Sequence, residues 1–498
     1  MNVNEALEKL EQIELKIYAN RHAMSLINYD AYTRAPKGSG DARGKTLSVL
    51  AEEGYKLMVN DALREVLGVL LENRDSLSEV DRRRAEVLFE DLEKMQRIPM
   101  EEVIAFQELT NKAQDVWHDA KVNNDYASFA PYIDKIVASL KRQSKYIDSD
   151  RDAYDVQLGE YEKGMDTKKL DAIFGEMKAG LRPLIEKVSS LPIRDDFLRR
   201  KCDIAKQREL SDRLMSLMGI DRNHCTIDET EHPFTDNFSK YDVRITTHYY
   251  DDAVASSLYS VVHEGGHALY ELHTADELQY TCLASGTSMG VHESQSRFYE
   301  NIIGRSRAFV SRLYPMLREL FPNEYSDVSE DELYRALNKA EPSLIRTEAD
   351  ELTYTMHIII RYEIEKMLFS GEVTSANLPE TWNRLYKEYL GIDVPDDKRG
   401  VLQDSHWSGG AMGYFPSYAL GSAYGAQMLA AMQKDIDVFG SIKSGDFSKV
   451  NGWLENKIHR YGRMLDPTEV VPKACGSEFS PKYYIEYLSE KLKDVYGI

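Results

Sequence analysis

Apolar positions recur at helical spacing through most of this chain. Leu10, Ile13 and Ile17 share one face of the first segment, and charged and apolar residues interleave at the same period from Lys45 to about Lys145. Between them, Ala35 to Asp41 (APKGSGD) breaks the pattern and reads as a loop. The period changes between about Thr226 and Gly286. From Tyr241 to Tyr249, Tyr241, Val243 and Ile245 point one way while Asp242, Arg244 and Thr246 point the other, the alternation of a half-exposed strand. Thr226-Ile227 and Leu278–Leu283 are its expected partners, and the run from Leu258 to Leu272 is helical again. The pattern therefore predicts a mainly α protein with one small sheet. No repeat, low-complexity tract or Pro- or Ser-rich linker marks a boundary, so residues 1–498 are expected to form one body with a group of N-terminal helices packed on it.

Composition narrows the partners. The formal net charge of −21 over 498 residues disfavours nucleic acid or an anionic membrane as the main partner. Four cysteines form no CxxC pair and no disulfide framework, which fits reduced thiols in a cytoplasmic protein. The start, MNVNEALEK, is an amphipathic helix opening without the apolar core of a signal peptide. No run of about 18 apolar residues is present to span a membrane. Arg82-Arg83-Arg84 sits among acids and reads as a solvated helix face.

The chemistry concentrates in His263-Glu264-Gly265-Gly266-His267. Positions four apart share a helix face, so both imidazoles can bind one ion while Glu264 takes a proton from water; this is the HExxH arrangement of a zinc hydrolase. Catalytic zinc commonly takes three protein ligands, and Glu293, opening a second helix at HESQ, is the best third, with Glu271 and Glu300 as rivals. His292 beside it is a candidate to support a ligand from behind. His248, His273 and His357 read as structural. The run IRTEAD places Arg346 and Asp350 four apart on an expected helical face: Asp350 can orient an imidazole, and Arg346 can grip a carboxylate bidentately. Gly400 to Pro416 is glycine-rich and crowds Asp404, His406, Trp407 and Tyr414, as loops at functional sites do. There His406 or Tyr414 can stabilise an oxyanion, and Asp404 can support the site from behind. The strand beside the HExxH helix offers an edge for an extended peptide.

Taken together these motifs resemble the carboxypeptidase Taq family. The chain carries His232-Pro233-Phe234 (HPF), Asp242, Arg244 and Thr246 (DxRxT), HExxH, HESQ, Ile345 to Asp350 (IRxxAD) and Gly400 to Trp407 (GxxQDxHW), in the family's order. The resemblance implies an elongated, neurolysin-like helical body with a deep groove, a small sheet beside the zinc, and N-terminal helices (about 1–110) partly covering the groove. It implies a homodimer that removes single residues from peptide C-termini with broad specificity, using zinc that cobalt can replace. On that reading His263, His267 and Glu293 hold the metal and Glu264 is the general base. Arg244 and Arg346 are equal candidates for the substrate carboxylate, because an exopeptidase needs a cation to recognise a free C-terminus. A zinc endo-oligopeptidase of the same fold and a non-catalytic, peptide-binding zinc protein are the alternatives.

Overall fold

The computed structural model describes residues 1–498. Helices build nearly all of it, around one large apolar core that runs from Ala113 to Val495. The N-terminal helices form a unit with its own small core, in which Ala6 and Leu10 of the first helix (Val3–Thr33) meet Leu63, Leu67, Leu88 and Leu92. The expected face holds: Leu10 is fully buried, with Ile13 and Ile17 beside it half-buried. None of the helices is long and apolar enough to cross a membrane.

The arginine triplet departs from expectation. Arg82 is exposed, but Arg84 is turned inward onto buried Glu14 and onto Asp81, and Arg83 bonds Asp466 and the Arg463 carbonyl. A guanidinium on a half-buried face needs acids to match it, and here the neighbouring helix and the C-terminal region supply them.

A single sheet of three strands lies under the first helix: β1 (Cys225–Glu229), β2 (Thr235–Ser239) and β3 (Asp242–Thr247), in the order β1-β3-β2. β1 runs parallel to β3, so the Thr226-Ile227 pairing occurs; β2 is antiparallel to β3. Leu278–Leu283 is not a strand. A short 3₁₀ turn at Asp276–Leu278 leads into Tyr280, whose φ of 65° is incompatible with extended chain. The segment instead caps the β2–β3 turn through a side chain, Gln279 Oε1 accepting from the Lys240 amide.

The HExxH motif lies on the helix Val254–Leu272, packed between the sheet and the helix Met289–Arg297. A Cβ on Gly266 would fall 2.7 Å from the Gln295 carbonyl oxygen, so the two helices cross in backbone contact. On the other flank, Gly421 of the helix Pro416–Asp435 leaves only 2.8 Å between a built Cβ and Cβ of Glu293. Glycine on both sides thus clamps the helix that carries Glu293.

Candidate metal centre

His263 and His267 lie one turn apart, with ring centroids 5.0 Å from each other. Glu293 Oε2 approaches both, 3.8 Å from His263 Nε2 and 3.6 Å from His267 Nε2, and the ligand atoms of all three fall within 4.8 Å of one another. Tetrahedral zinc with bonds of about 2.0–2.1 Å would set such atoms about 3.4 Å apart, so the donor set fits a divalent ion.

The outer nitrogens strengthen that fit. His263 Nδ1 is 2.8 Å from Glu300 Oε2, an acceptor only, so Nδ1 carries a proton and Nε2 is the nitrogen left to face Glu293. His267 reaches the same state through a relay. Glu271 Oε1 accepts from His292 Nε2 at 2.7 Å; His292 Nδ1 then accepts from His267 Nδ1, also at 2.7 Å. Both imidazoles are held in the tautomer a metal requires. Glu271 is itself fixed by Ser285 Oγ at 2.9 Å and by the Asn237 side-chain amide from β2. The two rival carboxylates, Glu271 and Glu300, therefore orient imidazoles, and His292 links Glu271 to His267.

Burial drives the His267 pKa down to about 3, with the neighbouring imidazoles adding to the effect, so this ring is neutral. At Glu293 burial works against the charge but is outweighed by Arg297 and both histidines, which hold the carboxyl well below the usual carboxylate range. Burial raises the Glu264 carboxyl above its ordinary value, against the opposing pull of His263 and a hydrogen bond from Thr235. That bond is short: Thr235 Oγ1 donates to Glu264 Oε2 at 2.6 Å. A carboxylate with a raised pKa, fixed in direction beside the donor set, is suited to take and return a proton.

His263, Glu264 and Glu293 open onto a cavity of about 690 Å³ lined also by Pro233, Arg297, Arg346, Tyr354 and Tyr418, the size of a ligand cleft. The N-terminal helices contribute nothing to this lining. Arg346 is 6% exposed. Its Nε donates to Asp404 at 2.8 Å and its Nη1 to the Tyr354 hydroxyl at 3.0 Å. Asp404 also accepts from Arg361 Nε at 2.7 Å; burial opposes its charge, but the two arginines keep it ionised. Asp404 thus supports Arg346 rather than an imidazole.

Three sequence expectations are corrected here. Arg244 does not reach the cavity. Val243 and Ile245 are fully buried against the HExxH helix, and strand alternation then turns Arg244 to the opposite face. There it pairs with Asp242 through two 2.8 Å bonds and lies under Tyr29 of the first helix. Secondly, Arg346 sits on a short 3₁₀ turn (Arg346–Glu348), and Asp350 is the N-cap of the helix Glu351–Ser370 instead of its neighbour on a helix face. Asp350 accepts from the amides of Leu352, Thr353 and Glu341 and orients no imidazole. Thirdly, neither His406 nor Tyr414 lines the cavity; Tyr418 does. His406 Nε2 lies 3.0 Å from the Tyr418 hydroxyl, and Tyr414 packs edge-on against Tyr418. Burial lowers the His406 pKa to about 4, so that ring is neutral.

The remaining motifs build the frame. Thr246 Oγ1 of DxRxT accepts from the Phe234 amide of HPF at 2.8 Å, which fixes the entry to β2 and hence Thr235. His248, His273 and His357 bond the Thr230 carbonyl, His459 and Tyr386 respectively, as structural histidines do.

A helical body with an HExxH helix crossing a second, glutamate-bearing helix at the floor of a cavity defines a metallopeptidase. Residues 9–492 match the family model described as carboxypeptidase Taq (M32) metallopeptidase, and the chain belongs to that family. It is 38% identical to carboxypeptidase 1 of Bacillus subtilis over 95% of each chain, and 33% identical to thermostable carboxypeptidase 1 of Pyrococcus furiosus over 98% of each. The M32 carboxypeptidase structure from Deinococcus radiodurans superposes with a TM-score of 0.97 at 33% identity, covering 99% of this chain and 100% of that one. Trypanosoma cruzi metallocarboxypeptidase 1 gives 0.94 at 31% identity over 98% and 99%. The chain is accordingly a metallocarboxypeptidase that acts on peptides.

Proposed function

We propose that this enzyme uses zinc to release single residues from the free C-termini of peptides, with broad tolerance of the side chain removed. The supporting observation is a buried guanidinium, Arg346, lining the same cavity as Glu264 and two members of the donor set, His263 and Glu293. His263, His267 and Glu293 would hold a divalent ion, which would supply Lewis acidity, lowering the pKa of water to about 7 and polarising a carbonyl. Arg346 grips the terminal carboxylate of the substrate. Glu264 takes the proton of the attacking water and passes it to the leaving amine. Neutral Tyr418, backed by His406, is placed to donate to the oxygen where charge develops. The resemblance to the family extends the reading to a cytoplasmic homodimer in which cobalt can replace zinc.

A peptide offered with a free and with an amidated C-terminus, its products read by mass, tests this directly. Single residues are expected to leave the free form in steps, with the amidated form untouched. A chelator is expected to abolish the reaction, and added zinc or cobalt to restore it. Internal cleavage of both peptides at equal rates would establish an endopeptidase instead.

The Thr235 hydroxyl has a testable part in this scheme. In Thr235→Val the shape is kept and one hydrogen bond to Glu264 is lost. A bond to a charged group is worth about 1.5–3 kcal/mol, so kcat is expected to fall about tenfold or more with KM and metal content unchanged. Unchanged kcat would remove Thr235 from the orientation of the base.

A further inference from the structure

Glu293 is not free to offer both oxygens to a metal. Arg297, one turn further along the same helix, donates from Nε to Glu293 Oε1 at 2.7 Å. Only Oε2 faces the two histidines, and Ser296 Oγ adds a contact to that oxygen at 3.3 Å. The same guanidinium reaches a second carboxylate, its Nη1 lying 3.3 Å from Glu300 Oε2, the oxygen that holds His263. Its Cζ lies 4.2 Å from the Tyr354 ring centroid, and the Tyr354 hydroxyl is bonded by Arg346. Arg305 completes the row, with Nη2 3.3 Å from Glu300 Oε1 and its guanidinium 3.9 Å from the Tyr259 ring. Acid and base alternate along this wall, and all four groups are largely buried.

We propose that Arg297 is the positioning residue that restricts Glu293 to one-oxygen ligation and so keeps a coordination position open. This rests on the metal-site reading above. A carboxylate beside an ion can bind through one oxygen or swing to bind through two. Two-oxygen binding would crowd the position that water or substrate needs, which a catalytic site must leave vacant. A charge-assisted bond at 2.7 Å on Oε1 opposes that swing. Because Arg297 also bonds Glu300, one side chain sets the orientation of Glu293 and, through Glu300, of His263. Lysine cannot replace it fully, since an ammonium lacks the planar fork that spans two carboxylates.

The test uses the metal-loaded full chain and reads coordination directly. Arg297→Met keeps an unbranched apolar stem and removes every donor. With Co²⁺ as probe, its visible absorption is expected to lose intensity relative to wild type, as the coordination number rises. Zinc affinity by chelator competition is expected to drop about 10–100-fold, the usual effect of losing a group behind a ligand. Arg297→Lys is expected to fall between the two. A folded Arg297→Met protein with the wild-type Co²⁺ spectrum would overturn the proposal. Should that variant fail to fold, a crystal structure of the zinc-loaded wild type decides: Glu293 bound through Oε2 alone with Oε1 on Arg297 supports it, and both oxygens at ligand distance overturn it. A wild-type chain that takes up neither zinc nor cobalt would instead overturn the metal-site reading beneath it.

Discussion

Glu264→Gln will retain its metal and lose at least about 10²-fold in kcat, the usual contribution of a positioned general base, equivalent to about 3 kcal/mol or more of barrier. The substitution isolates proton transfer. Gln is nearly isosteric, its carbonyl oxygen can still accept the Thr235 hydroxyl now 2.6 Å from Glu264 Oε2, and none of the ligand atoms is touched. Stability gives an independent check. Burial raises the Glu264 pKa in the folded chain. A carboxyl whose folded pKa lies above its unfolded value disfavours the folded state once pH exceeds the unfolded pKa, because the native site then holds a charge it resists. Gln removes that charge, so the metal-free variant should melt no lower than wild type at neutral pH. Near-normal turnover with metal bound would refute Glu264 as the base; a lower melting point would show that its charge is matched by partners not evident in the fold.

The residues legible in the sequence were those whose chemistry depends on spacing along one element. His263, Glu264 and His267 needed only a helix. Glu293 needed only a second helix that could reach the first, and glycines at 266 and 421 supply the close approach. What escaped depends on tertiary choices. Strand alternation separates Val243 and Ile245 from Arg244, but it does not say which side faces the site; burial of the two aliphatic residues decides that, and it sends Arg244 to the first helix. Likewise the i,i+4 spacing of Arg346 and Asp350 suits a helix face, yet an aspartate at the start of an apolar helical run is also the preferred N-cap. Here the cap prevails, accepting the amides of Leu352 and Thr353. β2 has no strand signature, since Thr-Asp-Asn-Phe-Ser is poor in β formers; its pairing with β3 comes from the fold, and Thr235 arrives at Glu264 with it. Tyr418 lies four residues beyond Tyr414, in the helix that follows the loop, and it is this phenol that faces the cavity.

Arg346→Ala carries the second large effect, and it separates an exopeptidase from a general one. Arg346 is buried, lines the cavity of Glu264 and Glu293, and is held rigid by Asp404 and Tyr354. A forked cation fixed in this way can meet a carboxylate with little further ordering. Removing one partner of a buried, hydrogen-bonded charge pair costs about 2–5 kcal/mol, so kcat/KM on a free C-terminus should fall by about 30-fold at the least. The fold should survive, because Asp404 keeps its bonds from Arg361. The discriminating quantity is the ratio of rates on free and amidated peptides. In Arg346→Ala that ratio should collapse, since the lost interaction exists only with the free form. Arg244→Ala serves as the contrast: its guanidinium is committed to Asp242 on the far face of the sheet, and the ratio should hold at the wild-type value. A preserved ratio in Arg346→Ala, or a collapsed one in Arg244→Ala, would move carboxylate recognition away from Arg346 and require the substrate to lie along the other side of β3.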